Sequence, residues 1–199
     1  MSSHAALATL LHPARVWSSF EVLQRPCPVP PIPGVYGWYF KQLPSPIDTR
    51  GCVVLGDLTL LYVGISPKAP PRNERAGSRQ TLRSRIRHHY RGNAEGSILR
   101  LTLGCLLSDR LGLQLRRVGS GTRMTFAAGE HRLSAWMAGN AFVTWAETPE
   151  PWAAERDLIA AVDLPLNLDQ NRRNAFHAEL TRRRAQARAA ARALPVVVG

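Results

Sequence analysis

Two tyrosines, an arginine, a histidine and a glutamate carry the chemistry this chain could direct at a phosphodiester backbone. Tyr36 follows Gly34-Val35, and Tyr62 precedes Val63-Gly64. A glycine near a strand end admits a close approach of backbone or ligand. Arg85 and His89 are four residues apart, so they share one face of a helix. A guanidinium aimed at a scissile phosphate stabilises charge on the transferring group, and an imidazole one turn away can move a proton. A phenol is a poor base at its ordinary pKa of about 10. Cationic neighbours such as Arg85 or His89 would make it a workable one by favouring the phenolate. Glu155 precedes Leu158 and Ile159 by three and four residues, which puts it on or beside the face a helix would bury. A carboxylate held there is costly unless it binds a cation. One acid acting alone suits a hard, oxygen-liking ion such as Mg²⁺, which keeps most of its waters. Ordinary roles stay open for each residue: a surface arginine, a structural histidine, packing tyrosines, a glutamate salt-bridged to an internal arginine.

The elements that must position these groups follow from local pattern. Four prolines between Cys27 and Pro33 preclude a helix and deliver an extended approach to a strand at Gly34–Phe40. Val53–Leu55 and Leu58–Ile65 predict a further strand or hairpin turning at Gly56-Asp57. Lys68–Gln80, with Pro70, Pro71, Arg72, Asn73, Gly77 and Ser78, reads as a polar loop. From Thr81, a plausible N-cap, Leu82, Ile86 and Tyr90 recur at helical spacing until Gly92. Helices are expected around Ala14–Leu23, over Ser97–Leu111, over Glu130–Met137 and over Asn174–Ala193. Another should open at Thr148-Pro149 and run through Val162, where Pro165 stops it. Leu113–Phe126 gives weak hairpin signals, and Ala141–Ala146 reads as a strand.

At 199 residues the chain supports one hydrophobic core. Its formal net charge is +12, from 26 Lys and Arg against 14 acidic residues, and arginine carries nearly all of the excess. Arginine prefers bidentate contact with phosphate, so the partner implied is a nucleic acid. A GC-rich genome would also raise arginine, alanine and proline. Clustering argues for more than that: Lys68–Arg91 holds eight basic residues and Asn171–Arg192 seven, with one acid in each. The phosphate contacts expected from these clusters are Arg83, Arg87 and Arg91 in the first and Arg182, Arg183, Arg184 and Arg188 in the second. Few acids neighbour the second cluster, and its sparse apolar residues suggest an arm that the fold could lose. Three cysteines without C-x-x-C spacing indicate neither a disulfide framework nor a zinc ribbon. With no secretory pattern and no long apolar run, the expected location is the cytoplasm.

Taken in order, these residues resemble the GIY-YIG nuclease superfamily. Its two strand motifs are matched here by Gly34-Val35-Tyr36 and Tyr62-Val63-Gly64, with valine for isoleucine in each. The superfamily's helix arginine corresponds to Arg85, the histidine or tyrosine one turn later to His89, its later glutamate to Glu155 and its loop asparagine to Asn167. The resemblance covers residues 30–93 and 140–170. It implies a small α/β (α+β) domain on a three-stranded antiparallel sheet flanked by helices, and hydrolysis of DNA phosphodiesters with one Mg²⁺ or Mn²⁺ on Glu155. On that basis Tyr36 orients or deprotonates the attacking water, Tyr62 and His89 assist, and Arg85 binds the scissile phosphate. Asn167 fixes Glu155 or the nearby backbone. The expected organisation is an extension at 1–29, a catalytic domain at 30–170 with insertions at 41–58, 66–80 and 94–139, and a basic helix and tail at 171–199. The expected function is a metal-dependent endonuclease in repair, restriction or mobile-element processing, acting on double-stranded or branched DNA. The alternative is a nucleic-acid-binding module without the chemistry.

Overall fold

The computed structural model describes residues 3–70 and 78–197; Pro71, Arg72, Asn73 and Gly77 of the expected polar loop lie outside the described residues. The main sheet contains β1 (Gly34–Phe40), β2 (Val54–Leu55), β3 (Leu58–Ser66) and, far along the chain, β6 (Ala141–Glu147). A separate hairpin pairs β4 (Arg116–Val118) with β5 (Arg123–Thr125). The helices are α1 (Ser3–Leu11), α2 (Ser19–Leu23), α3 (Leu82–Arg91), α4 (Ile98–Leu106), α5 (Ser108–Leu111), α6 (Glu130–Asn140), α7 (Pro151–Ala161) and α8 (His177–Ala193).

β1 is buried along its whole length, as suits a run of aromatic and branched residues without charge. It pairs antiparallel with β3 on one side and β6 on the other, in the order β2-β3-β1-β6. The sheet therefore has four strands rather than three. The extra one arises because Gly56, at φ +60, turns the chain in two residues and lays Val54–Leu55 beside Leu58–Thr59.

Strand alternation divides the core. Tyr36, Trp38 and Phe40 join Leu61, Tyr62, Leu82, Ile86 and Tyr90 on one face. Val35, Tyr39, Leu60 and Val63 join Leu10, Leu158 and Ile159 on the other. The register slips between Trp38 and Tyr39, a bulge that lets consecutive Leu61 and Tyr62 face the same cluster.

Several boundaries differ from those the pattern predicts. Residues 14–17 are not helical, because Trp17 exchanges backbone hydrogen bonds with Val143 at 2.8 and 2.9 Å. The helix there starts instead behind a Ser18–Glu21 capping box. Thr148 stays outside the helix, its N–H reaching the Pro33 carbonyl (3.3 Å), and α7 opens at Pro151 rather than Pro149. The single helix expected over Ser97–Leu111 breaks at Leu107 into α4 and α5, and Gly112 ends α5 at φ +59. The C-terminal helix is not a loose arm. Leu180, Arg184 and Ala191 are buried, and α8 packs on α4.

Candidate active site

The two motifs meet because their strands are neighbours. Tyr36 is the register partner of Gly64, and Trp38 of Tyr62. A Cβ at Gly64 would lie 2.6 Å from the Tyr36 hydroxyl. The glycine of the second motif is thus the space in which the tyrosine of the first lies. Gly34 serves packing in the same way, since a Cβ there would collide with the Ala146 carbonyl and stand 2.6 Å from Leu82 Cδ1. Helix α3 begins against that glycine, with a capping box between Thr81 and Ser84.

Helix α3 lays Leu82, Ile86 and Tyr90 on the sheet. His89 is fully buried behind the cleft. Its Nε2 lies 2.8 Å from the Tyr36 hydroxyl and its Nδ1 2.7 Å from Ser97 Oγ. Burial, followed by the charges of Arg85, His88 and Arg100, holds its pKa well below the ordinary value. The ring is therefore neutral at physiological pH, with one proton to share between two partners. With Tyr36 O–H donating to Nε2, Nδ1–H donates to Ser97; the other tautomer reverses both bonds. Tyr36 itself is pushed up to about 12, mainly by burial, with Arg85 pulling against the rise. Tyr36 is therefore a phenol in the resting protein, because burial outweighs the charge and hydrogen bond of Arg85 that favour the phenolate. Burial also drives Tyr62 far above its ordinary value.

Arg85 is half-buried and donates from Nη1 to the Gly96 carbonyl (2.7 Å). Across the cleft, Glu155 projects from α7 and makes no hydrogen bond or ion pair among the described residues. Burial, and then Asp169, raises its pKa to about 7, while Lys68 opposes the shift. A partly desolvated, unpaired carboxylate beside a second acid is a fitting place for a hard cation with few protein ligands. No group of three or more His, Cys, Asp or Glu able to hold a metal occurs among the described residues. Glu155 is the residue that would hold such a cation.

Asn167 is buried and works on backbone. Its Oδ1 accepts from the Val63 N–H and its Nδ2 donates to the Val63 carbonyl, both at 2.9 Å. These bonds fix the middle residue of the second motif.

An open cleft of about 810 Å³ brings together Tyr36, Tyr62, Gly64, Arg85, Glu155, Asn167 and Arg184. Arg83, Arg87, Arg91, Arg182, Arg183 and Arg188 do not line it. Arg83 donates to the Val29 carbonyl (2.7 Å), while Arg182 and Arg183 pair with Glu179 at 2.7 Å each. Glu179 is one turn before them, so the single acid of that cluster is already engaged.

Sequence patterns give no notice that Ser97 partners His89, or of the hub that steadies α3. Arg100 is wholly buried, bonds Glu130 at 2.6 Å, and donates to the carbonyls of His89 and Tyr90 at 3.1 Å each. The one visible signal was the position of Ser97 before an apolar run, where it also accepts the Arg100 N–H (3.1 Å).

A family model described as the GIY-YIG catalytic domain matches residues 34–186. The chain belongs to the GIY-YIG family. No curated protein and no solved structure matches it. The GIY-YIG match starts at Gly34, spans the segment that supplies Ser97 and Arg100, and extends into α8. The match to a GIY-YIG catalytic domain points to a nuclease, a class whose members act on DNA. Among the described residues no helix is long and apolar enough to cross a membrane.

Proposed function

We propose that this GIY-YIG domain is a divalent-metal-dependent endonuclease that hydrolyses DNA phosphodiester bonds. The observation that carries this reading is the Tyr36 hydroxyl bonded to neutral His89, beside Arg85 and across the cleft from Glu155, which is unpaired among the described residues. A Mg²⁺ or Mn²⁺ held by Glu155 would supply Lewis acidity and an acidified water.

The chain's own groups do the rest. With its proton directed at His89 Nε2, Tyr36 turns a lone pair toward the cleft and orients the attacking water. Transfer of a proton onto His89 is opposed by burial and by Arg85. A bound phosphate offsets the Arg85 charge, which raises the basicity of the imidazole when the substrate is in place. Arg85, anchored by Nη1 on the Gly96 carbonyl, turns its guanidinium beside Tyr36 to the scissile phosphate. Arg87, Arg91 and Arg188 add contacts to flanking phosphates.

Purified protein incubated with plasmid, branched and flapped DNA in Mg²⁺ or Mn²⁺ tests the proposal. Wild type cleaves at least one substrate. Arg85→Ala lowers the single-turnover rate by about 100-fold, and Arg85→Lys restores little, because the fork geometry is lost. Folded wild-type protein that cuts none of these DNAs refutes the reading.

A further inference from the structure

Arg184 differs from the other arginines of α8. It is 8 % exposed and lines the same cleft as Tyr62 and Glu155, whereas Arg182 is exposed and paired with Glu179. Its Nε is buried without a hydrogen-bond partner, and its guanidinium makes no hydrogen bond or ion pair among the described residues. The charged groups that face it are Arg188 one turn along α8, Asp169 on the loop after Asn167, and the ionisable Cys105 of α4 and Tyr62 of β3. A second cation therefore sits beside it, and among the described residues no carboxylate bonds it. A buried guanidinium left unpaired costs stability, and a like charge at i+4 adds to that cost. An arrangement so unfavourable in the free protein is satisfied by an anion arriving from the cleft.

We infer that Arg184 forms a second phosphate subsite in the cleft, which takes a DNA phosphate flanking the one Arg85 holds. This rests on the nuclease reading for the position of the scissile phosphate. Arg85 and Arg184 come from different walls, α3 and α8, so together they grip the strand at two points and fix which bond faces Tyr36. α8 thereby becomes a wall of the active site.

The test compares full-length wild type, Arg184→Gln, Arg184→Met and Arg184→Lys in binding a short DNA duplex across a salt series. The same duplexes also carry single uncharged methylphosphonates at successive positions. Arg184→Gln and Arg184→Met should weaken binding about tenfold and lower the slope of log affinity against log salt by about one. Arg184→Lys should keep the slope. One methylphosphonate position should weaken wild type but not Arg184→Gln. The melting temperature of Arg184→Met should equal or exceed that of wild type, since an unpaired buried charge has been replaced by an apolar chain. Unchanged affinity, slope and methylphosphonate pattern in folded Arg184→Gln and Arg184→Met would overturn the inference. So would a marked loss of melting temperature in both Arg184→Gln and Arg184→Met, because the guanidinium would then be holding the free fold together rather than taking a phosphate. If wild type binds with the Arg184-dependent slope and never cuts, the nuclease reading fails and the subsite stands.

Discussion

Replacing Glu155 with glutamine separates the cost of its carboxylate from its use. The carboxyl titrates at about 7 in the folded chain against 4.5 ordinarily, because burial and Asp169 disfavour its charge. The sign follows from linkage. Below pH 4.5 the group is protonated whether folded or unfolded, and its neutral form is tolerated. As pH rises through about 7, the folded protein must carry the buried charge and loses stability. The full loss is about 3 kcal/mol, reduced to about 2 kcal/mol by water in the open cleft. Denaturant titrations of metal-free wild type and Glu155→Gln at about pH 5 and about pH 8 measure it. The variant should gain on wild type by about 2 kcal/mol on going to the higher pH. Excess Mg²⁺ or Mn²⁺ should raise the stability of wild type at the higher pH and leave the variant where it was. Parallel pH profiles for the two proteins would refute the desolvated-carboxylate reasoning. An equal response of both to the metal would remove Glu155 as its ligand.

Other outcomes follow from the surroundings of the site. Ser97→Ala removes the partner of His89 Nδ1 (2.7 Å) and an N-cap; it should destabilise the protein by about 1 kcal/mol and slow single-turnover cleavage by about tenfold or more. Arg100→Ala leaves Glu130 and two α3 carbonyls without their buried donor, so chemical denaturation should report a loss of about 3–5 kcal/mol. Truncation after Glu179 deletes buried Leu180, Arg184 and Ala191; circular dichroism should show loss of cooperative unfolding rather than merely weaker DNA binding.

Much of the site was legible because its residues obey local rules. Gly34 and Gly64 mark places where a side chain cannot fit, and the four-residue step from Arg85 to His89 marks one helix face. What stayed hidden depends on long-range contacts. The partner of His89 comes from Ser97, on a segment that looks like an insertion, and residues packed across space leave no periodic trace. The role of α8 was misjudged for a related reason. Its buried stripe is Leu180, Arg184 and Ala191, and an arginine in the middle of a stripe reads as solvent-facing. The fourth strand is two exposed residues long, too short to announce itself beyond its turn.

The Asn167 clamp has a consequence for solubility. β2 covers β3 only at Leu58 and Thr59, so further along, the outer side of β3 has no neighbouring strand among the described residues. The Asn167 side chain occupies the donor and acceptor of Val63 there, and the Leu166 N–H takes the Leu61 carbonyl (3.0 Å). A single amide thus imitates a strand partner and closes a sheet margin that could otherwise recruit a second molecule. Loss of that amide would appear first as self-association of the purified protein, before any defect at the scissile bond could be measured.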